Sequence, residues 1–323
     1  MTTSDPIYGK IEITEPVLLE LIATGAMQRL KGIDQNVTAN LLPIPWKPFT
    51  RFDHCVGVML LIRKLGGSLE EQIAGLLHDI SHTAFSHVMD FVFDQQMTQN
   101  FHEEHIERIV KQSAIPEILS RYGFDTDRVI NHANFSILEQ ELPALCADRV
   151  DYAVKTFYSG GQDAANLKKF VTDLTVTENQ ITFRHSQIAL EFARQFLATD
   201  LAIWGGSAAC NIAYHLFSII IKKAYQNGEV SFDDFFTTDE EVLGKLGPES
   251  KKEVEKLRLL KFIEVAPSEP YDYHVNGKIR YVDPPVKTKH GLKKLSEIDE
   301  NFHSEMKAFL AKRKQGNYVK IIS

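Results

Sequence analysis

Cysteine is scarce in this chain. Cys55, Cys146 and Cys210 are its three thiols, scattered and odd in number. That argues against a disulfide framework and suits a reducing compartment. Long apolar runs are missing too. The longest mostly apolar stretch, IAYHLFSIII, is about ten residues, too short to cross a bilayer as a helix. The opening MTTSDPIYGKIEITEP is polar and carries acids, unlike a signal peptide. Nor is there an excess of positive charge. Lys and Arg total 36 against 43 Asp and Glu, a net charge of -7, so no global basic field draws nucleic acid or anionic membrane. Together these absences predict a cytoplasmic chain with no membrane partner and no nucleic-acid partner.

Strand signals are also few. LTVTENQITFR at 174–184 alternates about a Glu-Asn-Gln turn and reads as a hairpin, and KIRYV at 278–282 as a further short strand. Helical signals dominate. Thr50-Arg51-Phe52-Asp53 reads as a capping box, followed by a helix with Phe52, Val56, Met59, Leu60 and Ile62 that stops at Gly66-Gly67. Ser68-Leu69-Glu70-Glu71 reads as a second box, opening a helix with Leu69, Ile73, Leu76, Leu77 and Ile80 at helical spacing. Further helices are expected near 84–95, 101–113, 115–122, 137–158, 186–203, 207–226 and 298–314. Ser231, Thr238 and Ser250 each mark a helix start. With 44% hydrophobic residues over 323 positions, the chain can bury a sizeable core. The sharpest change in composition follows residue 228. We therefore expect an all-α, mostly helical catalytic core over 1–228 with one or two short hairpins, and an appended mixed helical subdomain over 229–323.

Six of the twelve histidines (54, 78, 82, 87, 102 and 105) fall between residues 54 and 105. His78, Asp79, His82 and His87 stand in GLLHDISHTAFSH, among neighbours that favour burial. One reading is a set of core histidines with satisfied hydrogen bonds. The sharper reading is a metal site, because a buried Asp is expensive unless paired or bound to metal. His54 lies in the first turn of its helix. His78 and Asp79 end the next, with His82 four residues on. Asp148, Asp151 and Tyr152 recur at i, i+3 and i+4 on one helical face. Two imidazoles and two carboxylates would suit one divalent transition metal, Fe, Mn, Zn, Ni or Co, and fit poorly with a thiolate site.

His54, the pair His78-Asp79 and the late Asp148 resemble the HD-domain metal-dependent phosphohydrolases in order and context. More narrowly, MQRLKGIDQN, RFDHCVGV, IAGLLHDISHTAFSHVMD, FHEEH and DRVDY resemble the deoxynucleoside triphosphate triphosphohydrolase branch over roughly residues 20 to 230. The resemblance implies an HD fold with His54, His78, Asp79 and Asp148 as metal ligands. It implies His82 and His102 as catalytic or phosphate-facing groups, Asp90 as the carboxylate orienting one of them, and His87 as a phosphate contact. Arg51 and Arg149 would hold a polyphosphate, and Gln35 and Tyr152 a sugar. We assign the general acid to His102 and its orientation to Asp90. Two positions depart from the family pattern: Asn36-Val37 replaces Leu-Gly after the glutamine, and Thr156 replaces an Asp four residues after the tyrosine. Both departures touch the sugar pocket.

The expected reaction is hydrolysis of a nucleotide by metal-activated water. Its most specific form is attack at the α-phosphate of a (deoxy)nucleoside triphosphate, releasing nucleoside and triphosphate, with Mg able to accompany the nucleotide. Phosphoryl transfer asks mainly for positioning and charge neutralisation, which two arginines supply. The competing readings are another HD phosphohydrolase, acting on a nucleoside monophosphate, a cyclic nucleotide or an alarmone, and a nucleotide sensor without turnover. The partner is thus a nucleotide or other phosphorylated small molecule, and the resembling family is often homo-oligomeric.

Overall fold

The computed structural model describes residues 1–36, 41, 42 and 47–322. Val37, the second of the two positions that depart from the family after Gln35, lies outside the described residues. A hairpin of β1 (Thr2–Asp5) and β2 (Gly9–Glu12) leads into α1 (Pro16–Ala23) and α2 (Gly25–Arg29). The motif-bearing segment runs through α3 (Arg51–Lys64), α4 (Leu69–Leu77), α5 (Val88–Val92), α6 (Ile106–Lys111), α7 (Ile115–Arg121), α8 (Thr126–Ile130) and α9 (Ala147–Ser159). After it come α10 (Ala164–Asp173), the hairpin of β3 (Leu174–Thr177) and β4 (Gln180–Phe183), α11 (Ser186–Ala202) and α12 (Ala208–Gln226). The remainder holds α13 (Asp239–Lys245), α14 (Pro248–Leu259), β5 (Lys261–Val265), β6 (Tyr273–Val275), β7 (Pro285–Thr288), β8 (Gly291–Lys294), α15 (Leu295–Ile298), α16 (Glu300–Gln315) and β9 (Asn317–Ile322). The architecture is mostly helical, as the periodicity predicts.

The hairpin expected at 174–184 forms, and β4 then pairs in parallel with β7 through Phe183 and Val286. A second small sheet has the order β5-β9-β6. The strand expected at 278–282 does not form, because that segment is irregular and faces a cavity described below. The helix expected over 137–158 begins only at Ala147, and 137–146 is a loop. The helix expected near 84–95 is cut to Val88–Val92. Phe85 (φ 62°) and Ser86 (φ 50°) both adopt the left-handed region, which ends any helical continuation before them.

The capping box at Thr50 forms as expected. Thr50 Oγ1 accepts from Asp53 N at 3.2 Å, and Asp53 Oδ2 accepts from Thr50 N at 2.9 Å. The second box is half made. Ser68 Oγ accepts from Glu71 N at 3.1 Å, but Glu71 Oε1 turns away to accept from Ile137 N at 2.8 Å. That carboxylate ties the start of the 137–146 loop to α4.

Two buried clusters pack the segments that carry the motifs. One gathers Val58, Met59 and Leu61 of α3, Ile73 and Leu76 of α4, and Val150 and Val154 of α9, together with Val286 and Phe302 from the end of the chain. The other packs Phe85, Val88 and Met89 against Phe217 and Ile221 of α12 and Val254 and Leu257 of α14. Residues from both sides of position 228 therefore contribute to each cluster. Among the described residues no helix is long and apolar enough to cross a membrane.

Candidate metal centre and cavity

Helices α3, α4 and α9 each bring a piece of the site to one point. The cap at Thr50 starts α3 so that its first turn carries Arg51 and His54 inward. Helix α4 ends with His78 as its C-cap, which releases Asp79 into a turn. The first turn of α9 supplies Asp148. His54 and His78 meet with their Nε2 atoms 3.2 Å apart. Asp148 Oδ1 lies 2.9 Å from His54 Nε2 and 3.5 Å from His78 Nε2. Asp79 Oδ2 is 3.7 Å from His54 Nε2, and its Oδ1 is 3.6 Å from His78 Nε2.

The opposite ring nitrogens fix the tautomers. His78 Nδ1 lies 2.8 Å from Gly75 O, which only accepts, so this nitrogen carries the proton. His54 Nδ1 donates in the same way to Asp151 Oδ2 at 2.7 Å. Both Nε2 lone pairs therefore face each other and two carboxylates. Three electron-pair donors from His54, His78 and Asp148 lie within 4.8 Å of one another, with Asp79 beside both imidazoles. Each histidine is backed by an acceptor on its far nitrogen, and such an arrangement suits a divalent cation. Electrostatics agree. Burial opposes charge on His54 and His78, but hydrogen bonds to Asp148 and the nearby carboxylates outweigh it and raise both pKa values. Burial likewise opposes ionisation of Asp148, and the two histidines win, holding it well below the usual carboxylate range. The cluster is strongly cation-seeking.

A second group of imidazoles lies beside it. Its turn does not continue the helix, since His82 N donates to Asp79 O at 2.9 Å. His82 and His102 stack with ring centroids 3.8 Å apart and 15° between planes. Their Nε2 atoms approach Asp79 Oδ1 at 3.6 and 3.7 Å. Both nitrogens of His82 and Nδ1 of His102 are buried without a hydrogen-bond partner among the described residues. Burial drives their pKa values down, His102 to about 3 and His82 well below its ordinary value, with Arg51 and neighbouring histidines adding repulsion. Asp90, expected to orient His102, instead accepts from His87 Nδ1 at 2.9 Å and from Phe101 N at 3.1 Å. The reason is the turn at Phe85–Ser86, which places His87 directly before α5 and over Asp90.

The other expected residues divide. Arg51 is buried, with Nη1 on Asp79 Oδ2 at 2.6 Å and Nε donating to Ser86 Oγ at 3.0 Å. Its Nη2 is buried without a partner among the described residues and lines the cavity. Arg149 lines the cavity too, but its two terminal nitrogens tie down its own loop, while Nε is buried without a partner among the described residues. Nη1 donates to Ala144 O at 2.6 Å and Nη2 to Gln140 O at 3.1 Å. Gln35 and Tyr152 line the cavity, with Gln35 Oε1 unpartnered and Tyr152 packed edge-on to Trp204 at 5.3 Å. Asn36 and Thr156, at positions that depart from the family, line it as well. The cavity has a volume of about 220 Å³.

Several wall residues were not anticipated. His132 faces the cavity, and burial lowers its pKa to about 4. Lys278 and Arg280 reach the same cavity from beyond position 228. No local pattern marks these residues, because the fold brings them in from some 130 positions after Asp148. Asp151 did carry a signal, its i+3 spacing from Asp148, and it serves as an intramolecular partner of His54.

The HD domain family matches residues 51–154. A Bacillus subtilis protein, YdhJ, is 36% identical over 100% of this chain and 99% of its own. A metal-dependent phosphohydrolase of Cordyceps militaris is 32% identical over 87% of this chain and 84% of its own. A deoxynucleoside triphosphate triphosphohydrolase of Gallus gallus is 31% identical, over only 37% of this chain and 23% of its own. The crystal structure of a hypothetical protein from Aquifex aeolicus superimposes with a TM-score of 0.66 over 98% of this chain and 99% of that one, at 20% identity, which shows a shared fold. On sequence kinship across most of its length, the chain belongs to the HD-domain metal-dependent phosphohydrolases and is a hydrolase.

Proposed function

We propose that the protein hydrolyses a (deoxy)nucleoside triphosphate to nucleoside and triphosphate, using one divalent ion held by His54, His78, Asp79 and Asp148. The observation that carries the reading is the pair of Nε2 lone pairs facing two carboxylates. When bound, the ion supplies Lewis acidity and a water acidic enough to yield hydroxide near neutrality. Arg51 fixes Asp79 and keeps one unpartnered nitrogen for a phosphoryl oxygen. His82 and His102 are neutral on their own. As neutral imidazoles each offers one N–H to a phosphoryl oxygen. His87 has Asp90 behind its Nδ1, which leaves Nε2 as the atom that handles a proton at the leaving oxygen. The acid role expected for His102 therefore passes in our reading to His87. Gln35 and Tyr152 form part of the wall toward the sugar.

The test is chromatography of products from a mixed pool of ribo- and deoxynucleotides, cyclic species and tetraphosphate alarmones, with Mn added and Asp148→Ala as control. Nucleoside plus triphosphate, absent from the control, supports the reading. Orthophosphate or a monophosphate released from another member of the pool discards the triphosphate substrate and keeps the family chemistry. A second reading, hydrolysis of a smaller phosphoester, is favoured by one observation: Arg149 is engaged with backbone carbonyls and so offers less to a polyphosphate.

A further inference from the structure

Two cations reach the cavity from a segment outside every motif that marks the metal centre. Lys278 and Arg280 lie between β6 and β7, and both line the cavity. Their head groups hydrogen-bond to neutral acceptors. Lys278 Nζ donates to Thr98 O at 3.0 Å, and Arg280 Nη2 donates to Gln99 Oε1. Glu103, on the same wall, is the carboxylate that Lys278 senses most strongly. Burial, then the nearby Arg280, lowers the Lys278 pKa. Two like charges held side by side in a partly buried wall are unfavourable by themselves, and an anion entering the cavity relieves them.

Their backbone is pinned. Arg280 N donates to Asp200 Oδ1 at 3.4 Å, and Arg313 Nη2 donates to the carbonyls of Gly277 and Lys278, each at 3.2 Å. Arg313 and Asp200 are themselves a buried pair at 2.5 Å. A Cβ at Gly277 would sit 3.0 Å from the Cα of Gly205, so a side chain there would force the two stretches of backbone apart by a few tenths of an ångström. A segment without regular structure is thus held rigidly enough to aim two side chains.

We propose that Lys278 and Arg280 form an anion subsite for the phosphates beyond the one attacked, holding the far end of a polyphosphate chain. This rests on the triphosphate reading above for its substrate. It also supplies what Arg149, tied to its own loop, does not. The fork of Arg280 suits two oxygens of one phosphate, while Lys278 acts as a point charge.

Titration calorimetry on the full-length, Mn-loaded protein tests it, with inorganic triphosphate and orthophosphate as probes. Lys278→Gln, Arg280→Gln, the double variant and Arg280→Lys are compared with the unaltered protein, each checked for an unchanged melting temperature. Losing charge-assisted bonds should weaken triphosphate binding about tenfold or more in the double variant. Orthophosphate binding should hold within the error of the titration, and Arg280→Lys should fall between. Equal weakening of both probes, unaltered triphosphate binding in the double variant, or no triphosphate binding by the unaltered protein overturns the subsite. If triphosphate binds through this pair while nucleoside triphosphates stay uncleaved, the subsite stands and the reaction reading falls.

Discussion

At His54, two carboxylates divide the ring nitrogens between them. Asp151 accepts a hydrogen bond from Nδ1 at 2.7 Å, and Asp148 faces the lone pair of Nε2 at 2.9 Å. Asp151 also accepts from the Tyr8 hydroxyl at 2.8 Å and pairs with Lys155 at 3.2 Å, so its own position is well determined. Asp151→Asn should therefore lower metal affinity about 10- to 100-fold, measured by competition with a chelator. Affinity equal to the unaltered protein would show that His54 keeps its orientation without that charge. Asp148→Ala removes the carboxylate that faces both Nε2 atoms, and metal content after dialysis should drop to background. The same residues predict a pH dependence for chelated protein. Folding raises the pKa of His54 and His78, so their stabilisation is complete below about pH 6.5 and is lost as pH rises through the raised values. Folding lowers the pKa of His82 and His102, so their contribution is present above about 6.5 and lost as pH falls toward the lowered values. Metal-free stability should then peak near the ordinary histidine pKa. Urea unfolding in chelator between about pH 5.5 and 8.5 checks this, and a steady rise to the alkaline end would contradict it.

Among the elements, α4 does two jobs that its sequence only half announces. Its periodicity and its Ser68 cap are legible from spacing alone, and its end at His78 follows from the histidine-aspartate pair that must leave the helix. The destination of Glu71 is not legible, because its partners at Ile137 and Leu138 lie far along the chain. Truncating Glu71 to Ala should leave those two amides short of an acceptor in a buried place. We expect about 2 kcal/mol of destabilisation in urea unfolding, with hydrogen exchange rising first in the 137–146 loop. A loss no larger than that of a solvent-exposed substitution would refute the tie. The turn at residues 79–87 escapes sequence reading for a related reason. Apolar spacing there is compatible with helix, yet Phe85 and Ser86 take left-handed backbone because tertiary partners hold them. Phe85 N donates to Asp239 Oδ1 at 2.7 Å, Ala84 N to Phe235 O at 2.8 Å, and Ser86 Oγ to Asp34 O at 2.7 Å.

Over the whole molecule, the end of the chain packs onto the part that holds the candidate metal site. Helix α16 packs on α11, and Phe302 and Phe309 join the same buried cluster as α3, α4 and α9. The Arg313–Asp200 pair is the polar centre of that contact, with both side chains at least 98% buried. Arg313→Met leaves Asp200 charged and unpaired, which should destabilise the protein by about 3–5 kcal/mol. Adding Asp200→Leu should recover much of the loss, since an uncharged pair of similar volume avoids the stranded charge. If the double variant is as unstable as the single one, the pair's role lies elsewhere. Milder substitutions here should also slacken the 277–280 segment and weaken triphosphate before orthophosphate.

Local chemistry settled much of this protein before any folding was considered. Helix caps and apolar spacing marked most helices, and histidines and aspartates in a fixed order marked the candidate metal centre, because caps, periodicity and side-chain type are properties of neighbouring residues. Tertiary structure decided which carboxylate serves which imidazole, turning Asp90 to His87 and Asp151 to His54. It committed Arg149 to its own loop and delivered Lys278 and Arg280 from a stretch that reads as a strand. Those outcomes depend on which distant backbone carbonyls and charges share a buried space. Only closure of the chain on itself determines that.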